Sequence, residues 1–210
     1  MTFLVHRVRK NRSPEELREL WQFAGKQIIL LMRMEKENVR LQERQNEHEI
    51  RRLKLDYDEI MPCDSQLTSV WDNYITEESR TLHTDNRLFL QAIKSGVPRA
   101  KRGEVWLMLA DQFHKNHPPV DVSAFPNYNV PYQELLKNLT EHQHAIFMDI
   151  GRTFPNHEYY KCPFGMGQLS LFNILKAYSI LDPELGYCQG LAFICGVLLL
   201  HVSKKFESFC

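Results

Sequence analysis

Apolar residues in this chain recur at three- and four-residue intervals almost throughout, and no segment alternates apolar and polar convincingly in steps of two. A period near 3.6 lines one face of a helix, whereas a half-buried strand needs a period of two. The pattern therefore restricts the chain to an all-α fold. Its 210 residues are 43% hydrophobic and include 12 Phe, 8 Tyr and 3 Trp, enough for one sizeable core or a core plus an extension. No internal repeat is present.

The chain divides into four parts on these signals. Residues 1–13 form a basic segment with Arg7, Arg9, Lys10 and Arg12. Its apolar start, Met1 to Val5, is too short for a secretory leader, and the positive charges follow it rather than precede it. Ser13-Pro14-Glu15-Glu16 is then a strong helix start, with Ser13 as cap and Glu16 where a capping box wants an acid. Residues 14–61 read as an amphipathic helical extension, either one long helix over 14–60 or a broken pair. Leu17, Leu20, Ala24, Leu31, Met34 and Leu41 keep near-heptad spacing, and Trp21 and Ile28 widen that stripe. The stripe fits docking on the chain's own domain or a coiled-coil seam, although the polar stretch from Gln42 to Glu49 interrupts a seam. Pro62 is expected to stop the helix.

Residues 62–84 read as a linker with a local helix around Ser69 to Thr76, and residues 85–210 as the main domain. Within it, Asp85 caps a helix through Ile93, and another helix runs from Arg102 to His114. A Pro- and Asn-rich loop follows from His117 to Asn129. Pro131 restarts a helix through Leu139, and Thr140-Glu141-His142-Gln143 is a second capping box. The helix it opens carries Asp149 and Arg152 and closes at Phe154-Pro155-Asn156. Gln168 to Leu181 is helical, Asp182-Pro183-Glu184 is a turn, and an apolar run extends from Leu191 to Val202. At about a dozen residues that run is short of the ~20 that span a bilayer. It reads as a buried core helix, so any membrane contact is peripheral.

Charge excludes some function classes. Lys and Arg balance Asp and Glu at a formal net charge of +0, so no bulk attraction to nucleic acid follows. Cys63, Cys162, Cys188, Cys195 and Cys210 are scattered without zinc spacing. They read as reduced thiols of a cytoplasmic protein, with no metal and no cofactor of its own. No Gly-rich loop ending in Lys-Ser/Thr is present, so the chain is not expected to bind a nucleotide by itself. His142, His144 and His157 read as solvated, and Arg99, Lys101 and Arg102 as a solvated basic turn.

Two short stretches carry the candidate chemistry. Asp149 and Arg152 lie one helical turn apart, which fits a surface ion pair worth less than ~1 kcal/mol or an acid that orients a projecting guanidinium. Gln189 lies between Gly186 and Gly190, which fits a helix-start residue or a protruding functional amide. Arginine and glutamine are the side chains that GTP hydrolysis needs most: one neutralises charge on the transferred phosphoryl group, the other orients water.

The ordered set Gly96-Val97-Pro98, Arg102-Gly103-Glu104-Val105-Trp106, Ile146-x-x-Asp149-x-x-Arg152 and Tyr187-Cys188-Gln189-Gly190 resembles the motifs of TBC domains, the Rab GTPase-activating proteins, over residues 88–203. Residues 15–21, 33–38 and 52–57 are similar to the helix that precedes the TBC domain in the insulin-regulated Akt-substrate branch. The resemblance implies a helical TBC-type domain that is not an enzyme itself but lends residues in trans to the GTP form of a Rab GTPase. It implies Arg152 as arginine finger and Gln189 as glutamine finger, with Asp149 supporting Arg152 and Tyr187 packed beneath the glutamine loop. Arg102 and Trp106 match the early motif, with structural roles. It also implies work in vesicle trafficking, in the cytoplasm or peripheral to vesicle membranes. TBC domains continue well past the point where this sequence stops, at Cys210, so the domain is expected to be its N-terminal part only. The alternative function is a non-catalytic helical interaction protein, or an inactive product, that binds partners or itself through residues 14–61.

Overall fold

The computed structural model describes residues 13–44, 47–60, 63, 66–75, 87–119 and 121–202. Among them the regular structure is helical, without a strand. The helices are α1 (Pro14–Arg44), α2 (Glu47–Lys54), α3 (Leu67–Ile75), α4 (Arg87–Ser95), α5 (Arg102–Asn116), α6 (Tyr132–Leu135), α7 (Gln143–Ile150), α8 (Met166–Leu181) and α9 (Leu191–His201). Short 3₁₀ turns occupy Arg99–Lys101 and Val122–Ala124.

The capping box of α1 forms as its sequence dictates. The Glu16 amide donates to Ser13 Oγ at 3.2 Å, and the Ser13 amide donates to Glu16 Oε2 at 2.9 Å. Helix α1 then packs across α8, burying Met34 with Leu30 and Leu31 alongside it. The expected stripe docks only in part: its Leu31 and Met34 meet the body and Ala24 is half-buried, while Leu17, Leu20, Trp21 and Ile28 stay exposed. The helix carries two apolar stripes, and the sequence does not say which one meets the body. The side chain of Leu41, and Pro62 and Asp85, lie outside the described residues.

Helix α8 is the hub. Its Leu169, Leu171, Phe172 and Leu175 are fully buried against Ile146 and Ile150 of α7, Tyr159, Tyr160 and Ala192 of α9. Each such side chain contributes roughly 1.5–3 kcal/mol by leaving water. One lysine sits in this shell. Lys176 donates from Nζ to the Leu136 carbonyl at 2.6 Å, and burial pulls its pKa down to about 8. A second core joins α3, α4 and α5 through Trp71, Phe89, Ala92, Val105 and Met108. The Trp71 indole N–H is satisfied by the Gly96 carbonyl at 2.9 Å.

Four local expectations are corrected by tertiary contacts. The extension's helix ends at Lys54, not near residue 60, because Tyr57 and Glu59 are drawn into contacts elsewhere. Helix α6 stops at Leu135 rather than running to Leu139, and the Asn138 side-chain NH₂ turns back to donate to the Glu134 carbonyl at 3.0 Å. The second capping box does not close: Thr140 Oγ1 accepts from Ser179 and from the His142 backbone N–H, and the Gln143 side-chain amide is buried without a partner among the described residues. Arg152 lies just past the end of α7 rather than on it.

The basic turn at Arg99–Arg102 is not solvated either. Glu59 accepts from Arg99 at 3.3 Å and from Arg102 at 3.0 Å, while the Leu55 carbonyl accepts from Arg99 at 2.6 Å. Arg102 also donates to the Tyr57 hydroxyl, which is hydrogen-bonded to His201 Nε2 at 3.0 Å. The Trp106 ring meets His201 edge-on at 4.9 Å. Arg102 and Trp106 thus fasten residues 55–59 and the end of α9 to α5.

Burial, helped by the Arg102 charge, pushes the His201 imidazole down to about 4. The folded value lies below the unfolded one, near 6.5. The unfolded chain therefore takes up a proton first as pH falls, and stability is lost progressively from about pH 6.5 toward pH 4. About 1 kcal/mol is expected to go between pH 7 and pH 5, allowing for solvent screening of a partly exposed ring. Urea melts of the wild type and of His201→Gln at the two pH values check this. The variant should show the shallower pH dependence. His157, also lowered by burial rather than solvated, acts in the same direction in both proteins.

Helix α9 runs from the glutamine motif to this fastening, about 16 Å at 1.5 Å per residue. Ala192, Gly196 and Leu200 are buried, but Phe193, Ile194, Val197 and Leu198 remain exposed among the described residues. The expected burial on all sides holds for one face only.

Candidate functional site

The site is built where the end of α7 meets the loop between α8 and α9. Gly151 closes α7, and the next residue, Arg152, begins the turn that follows. The Asp149 carbonyl holds this turn by accepting from the Arg152 amide at 3.1 Å and from Thr153 Oγ1 at 2.8 Å. Thr153 is buried, and Phe154 reverses the chain with φ 49°. The Phe154 ring lies against Gly196 in the middle of α9, so the turn is backed by a core helix.

Asp149 is 8% exposed, and both its carboxylate oxygens are used. Oδ1 accepts from the Arg152 guanidinium at 2.5 Å and Oδ2 accepts from the Tyr187 hydroxyl at 2.6 Å. Burial, and then the bond to Asp149, raise the Tyr187 pKa far above its ordinary value, so the phenol stays protonated and remains a donor. The Arg152 side chain is 56% exposed. Its other guanidinium N–H groups meet no acceptor among the described residues, which leaves them free to reach an external oxyanion.

The glutamine loop is latched at its root. Asp182 Oδ1 accepts from the Leu185 amide at 3.1 Å, Oδ2 accepts from the Tyr178 hydroxyl at 3.2 Å, and the Asp182 carbonyl accepts from the Gly186 amide at 2.7 Å. Gly186 has φ +58°, and a Cβ there would stand 2.2 Å from His142 Nε2. Beyond it the chain passes Tyr187 and the exposed Cys188 and Gln189, then turns at Gly190 (φ +105°) into α9.

Substituting Gly186 with alanine is expected to cost about 1–3 kcal/mol, from left-handed strain and contact with the His142 ring. A drop in melting temperature, with Gly25→Ala as a control where nothing lies within 4 Å, checks it.

Asp149, Arg152 and Tyr187 are therefore brought together by hydrogen bonds, with Gln189 two residues beyond Tyr187 on the same loop. Arg102 and Trp106 are held apart from them, near the opposite end of α9. Sequence reasoning missed the roles of Asp182, Tyr178 and His142. Asp182-Pro183 was legible as a turn, but a turn does not say which loop it steadies. Nothing in the sequence pairs His142 with Gly186, because that contact forms across α7 and the loop.

Residues 99–210 match the family model described as Rab-GTPase-TBC domain, which is more than half of the chain. The chain belongs to the Rab-GTPase-TBC domain family. Residues 3–42 match a second model, described as a domain of unknown function. The chain is 52% identical over 205 residues to human TBC1 domain family member 1, covering 95% of this chain and 17% of that protein. It is 46% identical over 206 residues to mouse TBC1 domain family member 4, covering 96% of this chain and 15% of that protein. It is also 33% identical over 150 residues to the Rab GTPase-activating protein tbc-11 of Caenorhabditis elegans, covering 70% of this chain and 15% of that protein. The chain thus spans about a sixth of the length of these curated relatives. Within the TBC match lie all the candidate residues, from Arg102 to Gln189.

Proposed function

We propose that this chain activates GTP hydrolysis by a Rab GTPase, contributing residues in trans rather than acting as an enzyme on its own substrate. The GTP and its magnesium ion belong to the partner. In this reading Arg152 neutralises charge on the γ-phosphoryl group as the bond to the leaving oxygen breaks, and Gln189 orients the attacking water. The observation that supports it most is the Asp149 carboxylate shared between Arg152 and Tyr187. One buried acid thereby sets the arginine turn and the glutamine loop relative to each other, while both fingertips face solvent.

Pre-organisation matters because a finger must arrive already oriented. Effective molarity falls steeply with misplacement, and about 1 Å can cost ~10²-fold. Asp149 and Tyr187 act here as positioning residues. The similarity to the TBC1 domain family members 1 and 4 favours the Akt-substrate branch and a place in vesicle trafficking and intracellular protein transport.

Single-turnover hydrolysis of GTP by a panel of Rab proteins, with and without this chain, tests the proposal. Acceleration of at least one member is expected. If every Rab hydrolyses GTP at its intrinsic rate when saturated with the folded chain, the reading is wrong.

A further inference from the structure

Helix α1 carries a second apolar stripe that no described residue covers. At about 100° per residue, Leu17, Trp21, Ile28, Met32 and Val39 fall within about 60° of one another, on the side turned away from the docked Leu30 and Met34. The stripe is about 33 Å long. Trp21 is 74% exposed, Met32 66% and the adjoining Ile29 64%. Open apolar surface of this kind marks a binding face rather than ordinary surface scatter.

The charges beside the stripe say what it faces. Arg18, Lys26, Arg33, Lys36 and Arg40 occupy the next sector of the helix, on the stripe's solvent flank. Arg40 meets Glu37 at 3.5 Å, and the other four make no ion pair with a described residue. Glu19 and Glu37 lie beyond the far edge of that sector, and Glu15, in the first turn, is the one acid of α1 within it. Glu35 lies at the edge of the stripe, close enough to Lys176 to act on its charge. In sequence, residues 1–13 add Arg7, Arg9, Lys10 and Arg12 and no acid. The chain is neutral as a whole, so this is a local concentration of positive charge.

An apolar stripe with an exposed indole and a cationic flank matches a bilayer interface, where the ring sits at headgroup level and the cations meet anionic lipid. A second copy of the chain fits less well. Its seam would run through Trp21, Ala24, Ile28 and Leu31 and then meet Glu35 and Asn38, which interrupt a heptad. No helix of the described residues is long and apolar enough to cross a membrane, so contact would be along the surface.

We infer that the outward face of α1 is a docking surface for anionic lipid membranes, separate from the arginine–glutamine site and independent of the GTPase reading. It would hold the chain flat against a membrane surface through α1.

Flotation with phosphatidylcholine vesicles, with and without phosphatidylserine, tests this. The chain should float with the phosphatidylserine vesicles, less so as salt rises, and its tryptophan emission should shift to the blue. Trp71 is already buried and Trp106 half-buried, so the shift reports Trp21. The pairs Ile29→Glu with Met32→Glu, and Arg33→Glu with Lys36→Glu, should each weaken binding about tenfold or more with unchanged circular dichroism. These side chains are exposed, so the variants should fold. Absence of flotation, or flotation indifferent to both pairs, overturns the inference. So does light scattering that shows a dimer which Ile29→Glu with Met32→Glu dissociates, since a second copy would then own the stripe.

Discussion

Arg152→Ala is expected to reduce the chain's stimulation of GTP hydrolysis by a Rab by ~10³–10⁵-fold, the contribution of an arginine finger in related GTPase reactions. That range corresponds to roughly 4–7 kcal/mol of barrier. The loss should come almost wholly from chemistry. The side chain is 56% exposed and makes one ion pair, so its removal should cost the fold only about 1 kcal/mol. Arg152→Lys sharpens the result. A lysine can still meet Asp149, so the melting temperature should stay near wild type. It lacks the planar fork that bridges two phosphate oxygens, so the rate should stay low. Single-turnover hydrolysis at saturating chain, with thermal melts of each variant, separates the two effects. Acceleration that survives Arg152→Ala undiminished removes Arg152 from the mechanism.

Asp149 should show the next largest effect, on both stability and rate. Asp149→Ala strips the acceptor from a half-buried Tyr187 hydroxyl and from the Arg152 guanidinium together. The lost charge-assisted bonds and the unsatisfied phenol are expected to cost about 2–3 kcal/mol. Asp149→Asn is the informative companion. The amide is the same size and can still bond to Tyr187, so the fold should lose about 1 kcal/mol. It carries no charge to hold the guanidinium, so the finger is freed to sample other rotamers. A loss of about 10²-fold in rate at saturating chain is expected from misplacement of that order. Melting curves beside single-turnover rates would show it. If Asp149→Asn lowers stability and leaves the rate untouched, the acid is structural and does not position Arg152.

Much of the helical pattern was legible because it is local. The Ser13–Glu16 box forms where its residue types place it, since each donor and acceptor lies within four residues. The helices α5, α8 and α9 appear close to where apolar spacing and flanking turns put them. The Thr140–Gln143 box had the same local credentials and failed, because Ser179, nearly forty residues on, takes the threonine hydroxyl. The basic knot at Arg99–Arg102 read as solvated because its partners, Tyr57 and Glu59, are more than forty residues upstream.

The candidate site divides in the same way. That Asp149 and Arg152 should meet follows from three-residue spacing at a helix end, which is local geometry. That Tyr187 closes the second oxygen of the same carboxylate does not follow from spacing. It depends on α9 packing against the Phe154 turn and on Asp182 and His142 fixing the loop root.

The sequence by itself determined the helical class, the capping box that opens α1, and the residue types offered for chemistry. Those depend on side-chain period and on contacts within a turn or two, where chain connectivity does the placing. Only the tertiary structure decided which stripe of α1 meets the body, which charges are buried, and which oxygen of Asp149 each partner takes. These outcomes depend on segments far apart in the chain competing for the same donors and the same apolar surface, and no local pattern encodes the winner.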